Sequence, residues 1–168
     1  EDDKDREEDG ERGGEEGGGG GGGEGMTLQT KVFGEVTIEE EKIITFPGGI
    51  IGFPDLTQFT LLHDEDDGIA TIHWLQSLQE PGFAMPVMDP LFVKEDYNPE
   101  IEDELLKVLG EWKQDELLVL VTVSVPPELE KMTVNLKGPI IINGDNRKAC
   151  QVIVEGDVYK VKFHIYDI

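Results

Sequence analysis

The sequence holds a single cysteine, Cys150, so no intrachain disulfide is available and no cysteine-based metal cluster can form. Cys150 sits in a strand-like run, Ala149 to Val154, and reads as a small buried hydrophobe. No apolar run approaches the length of a membrane span, and no secretory signal pattern is present, so a cytosolic protein is expected. Neither a G-x-S-x-G elbow nor a phosphate-binding P-loop occurs. Basic residues are scarce: 14 Lys and Arg stand against 37 Asp and Glu. Such a balance repels phosphate backbones and disfavours direct nucleic-acid binding. Lys160 and Lys162 make one small basic strip, the wet face of a strand rather than an RNA platform. Histidine is limited to His63, His73 and His164. None has a cysteine or a second histidine at metal-ligand spacing, so no metal site and no cofactor are expected. Asp64, Glu65, Asp66 and Asp67 superficially resemble calcium ligands. They lack the glycine and distal glutamate of an EF-hand loop and read as a solvated turn.

What is present divides in two. Residues 1–25 contain eleven acids, three bases, eleven glycines and no apolar side chain. That segment cannot bury a core and is expected to be disordered. It reads as an added leader or linker ahead of Met26, the alternative being a natural acidic tail. It carries −8 of the chain's −23, which leaves −15 on residues 26–168. Those 143 residues suffice for one domain without staples. Their acidity favours a basic protein partner.

The stretch Phe46-Pro47-Gly48-Gly49-Ile50-Ile51-Gly52-Phe53-Pro54 organises the domain. Proline forbids a helix there, and glycine permits tight backbone approach. The stretch is unusually apolar for a loop. Two readings fit: a plug for the end of a β-barrel or sandwich, or a partner surface.

Period-two alternation marks strands on both sides of Gly34, where a bulge or sharp bend is expected, and again at Ile43–Phe46. Gln58–His63 and Ile69–Leu75 form a predicted hairpin across the acidic turn. Phe83–Met88 is short, and Leu117–Val125, apolar on both faces, is predicted to be central. Two short strands, Thr133–Leu136 and Pro139–Asn143, flank a Lys137-Gly138 kink. Ala149–Val154 and Val158–Tyr166 are predicted to close the chain as a hairpin through Glu155-Gly156-Asp157. One helix is predicted: Asn98 as N-cap, Pro99 at the first position, Ile101, Leu105, Leu106 and Leu109 on one face, and Gly110 as the stop. The expected fold is mainly β, a small antiparallel β-barrel or sandwich-like single domain with one or two short helices.

Several stretches in order resemble the FliW family of flagellar assembly factors. They are Phe33-Gly34-Glu35-Val36, Ile44-x-Phe46-x-x-Gly49-Ile50-x-Gly52-Phe53, Trp74-Leu75-Gln76-Ser77-Leu78 and Pro86-Val87-x-x-Pro90. Later come Val121-Thr122-Val123, Thr133-x-Asn135-Leu136-x-Gly138-Pro139-Ile140-x-Ile142-Asn143 and Gln151-Val152. Each is weak alone; the ordered set across residues 30–155 is specific. Gly138 departs from the pattern, where alanine is expected more often. The resemblance implies a small β-barrel-like protein without enzymatic activity and with two partners. One is CsrA, a basic dimeric RNA-binding repressor of flagellin translation; the other is flagellin. It implies a switch in which flagellin sequesters the factor until export frees it to capture CsrA.

Motif residues Gly34, Phe46, Gly49, Gly52, Phe53, Gln76, Ser77, Asn135, Pro139 and Asn143 read as architectural, supplying turns, bulges and kinks. Candidate contact residues are acids near apolar side chains: Glu35, the Asp64–Asp67 turn, Glu95, Asp96, Glu100, Glu102 and Asp103. Plain solubility is the competing account of each acid. Two other functions compete: a flagellin chaperone without a regulatory role, and a metabolite-binding β-barrel or enzyme.

Overall fold

The computed structural model describes residues 25–63 and 72–165. The Asp64–Asp67 turn and residues 1–24 lie outside the described residues. Strands β1 (Gly25–Thr30) and β2 (Gly34–Glu39) form a separate antiparallel hairpin. Gly34 is therefore the first residue of a returning arm rather than a bulge. Its φ of 70° is left-handed, and the Thr30 hydroxyl closes the turn by accepting from the Phe33 N–H (2.9 Å) and donating to the Gly34 carbonyl (2.8 Å).

The main sheet is antiparallel throughout. In chain order its strands are β3 (Ile44–Thr45), β4 (Gln58–Leu62), β5 (Ile72–Ser77), β6 (Ala84–Met88), β7 (Leu117–Ser124), β8 (Thr133–Val134), β9 (Ile140–Asn143), β10 (Ala149–Gln151) and β11 (Phe163–His164). The spatial order is β10-β9-β7-β6-β5-β4-β3, with β8 bonded to β7 and β11. As its apolar run predicts, β7 is central. It pairs with β6 along one edge, and with β9 and then β8 along the other. Asn135 produces the break between β8 and β9. Its Oδ1 accepts from the N–H groups of Lys137 (3.0 Å) and Gly138 (3.1 Å), turning the chain out of the ladder and back.

The two ends of the sheet approach each other. The Thr45 N–H donates to the Arg147 carbonyl (2.9 Å), and Thr45 bridges Lys148. That single bridge does not close a barrel, and the architecture is sandwich-like. Phe46, Ile50, Phe59, Leu75, Val87, Ile140 and Ile142 fill the main core. A second core gathers Tyr97, Val121, Val134 and Leu136, and a third gathers Leu106, Leu109, Ile141 and Val152. Neighbours in one strand thus serve opposite faces: Ile140 and Ile142 inward, Ile141 outward.

The Phe46–Pro54 stretch does two things at once. Phe46 and Ile50 are buried in the main core. Ile50 and Phe53 exchange backbone hydrogen bonds around a tight turn in which Gly52 has φ 90°. Gly49, at φ 73°, lies so close to the Pro54 backbone that no Cβ fits. Ile51 and Phe53 stay half-exposed on the rim, Phe53 leaning on Phe83 at 4.8 Å. Gln76 is fully buried, and its Nε2 donates to the carbonyls of Ser77, Pro81 and Phe83. The Ser77 hydroxyl accepts from the Gln79 and Glu80 N–H groups, shaping the same loop. The Pro139 carbonyl accepts from Val152, tying the kink to the chain beyond β10.

Two expectations are corrected. The predicted closing hairpin does not form. Its first arm pairs with β9, while its second arm pairs with β8 through Phe163 and His164. Tyr159, Phe163 and Ile165 pack against the second core, which draws the second arm away from the first. The predicted helix is also shorter and tighter. It is a 3-10 segment, Asp103–Leu109, preceded by Glu102 in extended geometry. Asn98 is not its cap; the Asn98 N–H donates to the Tyr159 hydroxyl (2.9 Å). A three-residue period places Leu106 and Leu109 on one buried line and turns Leu105 outward. Gly110 ends the segment at φ 74°, as its position suggests.

Candidate partner-binding surface

The chain from Asp89 to Trp112 runs across the outward face of β7 and β9. Beneath it lies a cleft of about 480 Å³ lined by Leu91, Tyr97, Ile101, Leu106, Trp112 and Leu118, among others. Ile101 also lines a second cleft of about 460 Å³ with Glu100, Glu102, Leu105, Ile153 and Glu155. Together they form one continuous surface. Four large aliphatic side chains on it, Leu91, Leu105, Leu118 and Ile153, are between 41% and 51% exposed. Asp89, Glu100, Glu102, Asp103 and Glu155 supply carboxylates. No Lys, Arg or His is among the described residues that line either cleft. The result is an apolar strip inside a fence of negative charge.

The strip rests on fixed supports. The Tyr97 hydroxyl donates to the Leu136 carbonyl (2.6 Å), and its ring meets Tyr159 edge-on at 4.7 Å. Burial, with Tyr159 beside it, pushes the Tyr97 phenol well above its ordinary range, so it remains a donor. Asp89 caps the turn beneath Leu91 by accepting from the Leu91 N–H (2.9 Å). The end of the 3-10 segment is held by Asn143, fully buried, whose Nδ2 donates to the carbonyls of Leu109 and Glu111 (3.0 Å each). Asn146 adds a donor to the same Leu109 carbonyl (3.0 Å). Cys150 packs beneath, within the third core, and burial pushes its thiol up to about 11. It is a structural side chain here, not a nucleophile.

Of the acids singled out in the sequence, the structure brings Glu100, Glu102 and Asp103 together on this surface. Glu95 and Asp96 are exposed on the turn before Tyr97 but line neither cleft, and Asp96 pairs with Lys94 (3.1 Å). Glu35 stands on the separate β1–β2 hairpin opposite Gln29. Asp64–Asp67 fall outside the described residues.

The family model described as FliW protein matches residues 27–165. The chain belongs to the FliW family. A flagellar assembly factor FliW from Lachnoclostridium phytofermentans is 49% identical over 143 residues, 84% of this chain and 92% of that protein. One from Lachnospira eligens is 49% identical over 145 residues, 85% of this chain and 96% of that protein. A crystal structure of the flagellar assembly factor FliW superimposes with a TM-score of 0.79 at 29% identity, covering 85% of this chain and 99% of the other.

Within this FliW chain, sequence reasoning missed Asp89, Glu155, Leu118 and Ile153. They come from three distant parts of the chain, Ile153 and Glu155 being near neighbours, and no local spacing joins those parts. The only advance signal was the apolar run of β7, in which Leu118 lies. No helix among the described residues is long and apolar enough to cross a membrane.

Proposed function

We propose that this FliW-family protein is a non-enzymatic regulatory binding protein of the cytoplasm. It binds the translational repressor CsrA, blocks RNA binding by CsrA, and exchanges that partner for flagellin. The observation that carries the reading is the acid-fenced apolar strip, which among the described residues that line it has no cation. A basic RNA-binding dimer is the complement of such a surface. Exposed leucine and isoleucine supply contact area, and the fence supplies attraction at long range and orientation at short range.

The same charge explains inhibition. Carboxylates docked beside an RNA groove face the incoming phosphates. Like unit charges about 4 Å apart cost roughly 1 kcal/mol in water and several times more at a protein surface. Several such acids weaken RNA binding without filling the site. Linkage then requires RNA to weaken FliW binding by the same factor.

The test is a titration of the full chain with purified CsrA, repeated with flagellin as competitor. Mutual exclusion is the expected result. Binding of flagellin alone would replace the switch with a chaperone role. Inhibition of CsrA–RNA binding that ignores salt would remove field repulsion as the mechanism.

A further inference from the structure

The β4–β5 hairpin carries a feature that linear spacing cannot show. Its register pairs Leu61 with Leu75 and Leu62 with Trp74, so His63 falls directly opposite His73. The two imidazole rings lie 4.8 Å apart, centre to centre, at 35°. They occupy the end of the sheet face that carries Phe59, Leu61 and Leu75. His73 continues across that face to Val87 of β6, and Val87 to Thr122 of β7, so among the described residues no charged side chain stands opposite it on that side. His63 is exposed and His73 half-buried, which leaves the pair open to solvent from one side. Burial, and then the neighbouring His63, lower the pKa of His73.

We propose that His63 and His73 form a two-imidazole site for a borderline divalent transition ion such as zinc or nickel, with water completing the coordination. The separation suits this. A ring nitrogen bound at about 2.0–2.1 Å places each imidazole centre about 3 Å from the metal, and a near-tetrahedral angle then sets the centres about 5 Å apart. Imidazole selects these ions over magnesium and calcium, which take oxygen ligands. Among the described residues no third histidine, cysteine or carboxylate completes a cluster. A bound ion would clip β4 to β5 and stabilise the folded chain by mass action.

Thermal unfolding of the chelator-stripped full chain, with and without zinc chloride, tests the proposal. Wild type and His164→Ala, which alters a histidine on a different strand, are expected to gain a few degrees in zinc and nothing in magnesium. His63→Ala, which removes an exposed side chain and leaves the core intact, is expected to lose the zinc shift and at least tenfold in zinc affinity by calorimetry. Native mass spectrometry is expected to show one zinc per wild-type chain. An equal shift in His63→Ala, or none in wild type, overturns the site and assigns any bound zinc to the acidic surface.

Discussion

The side-chain amide of Asn143 donates to the backbone carbonyl of Leu109 at 3.0 Å, across 34 residues of sequence. One end of that bond is the last residue of a central-sheet strand; the other is the last residue of the 3-10 segment beside the candidate surface. The bond therefore couples the scaffold to the element that carries the contacts.

Asn143→Ala removes that donor and leaves the Glu111 carbonyl without its Asn143 partner, while Asn146 still reaches Leu109. The expected loss of stability is about 2 kcal/mol, the range for an emptied buried polar position. Urea unfolding measures it. Partner affinity is expected to fall as well, because Leu105 and Ile101 lose their fixed base.

Two glycines in the Phe46–Pro54 turn separate backbone strain from crowding. Gly52→Ala meets nothing within 4 Å and is charged only for its φ of 90°, about 1 kcal/mol. Gly49→Ala adds overlap with the Pro54 backbone to a similar φ and is expected to cost roughly 3 kcal/mol or more. Equal denaturation midpoints for the two variants would contradict this.

Surface substitutions should divide by place rather than by charge. Glu102→Lys and Asp103→Lys are expected to weaken CsrA binding at least tenfold, mostly through slower association at low salt, while Glu35→Lys leaves it unchanged. Leu105→Ser and Ile153→Ser are expected to change stability by about 0.5 kcal/mol or less, since both side chains already face water, and to raise the dissociation rate. Surface plasmon resonance separates the two rates.

Cys150 gives a pH signature. Its ordinary value is 9.0, and burial raises it to about 11. The unfolded chain therefore releases this proton first as pH rises. The contribution to stability is complete below pH 9 and disappears as pH climbs through about 11. Cys150→Ala is expected to flatten that alkaline limb. In the native protein at neutral pH, thiol reagents should react far more slowly than after unfolding.

The fold was legible where a strand's pattern was sufficient by itself. Leu117–Ser124 announced a central strand because both faces were apolar, and the hairpin arms around the acidic turn announced each other. Legibility failed where partners lie far apart. Val158–Tyr166 has the alternation of a strand, but alternation does not say which neighbour it joins; Tyr97, more than sixty residues earlier, decides that through Tyr159. The helix failed for a different reason. Ile101, Leu105, Leu106 and Leu109 fit a 3.6-residue period, whereas only Leu106 and Leu109 share a three-residue line; packing on the outer face of the sheet, not the pattern, selects the tighter turn. At the candidate surface the acids of residues 100–103 could be read in advance. Asp89 and Glu155 could not, because folding alone makes them neighbours.

The meeting of Thr45 with Arg147 and Lys148 leaves this molecule with a seam. About a hundred residues separate its two lips, and among the described residues an isolated bridge at Thr45 and the Ile51 N–H donating to Gln151 Oε1 (3.0 Å) fasten them. Contacts so remote in sequence form late, after the rest of the sheet has been laid down. A slit held by so few stitches is also the cheapest place for the finished structure to part. The Thr45 amide would then trade its hydrogen for deuterium well before the amides of β7, which are fastened on both sides.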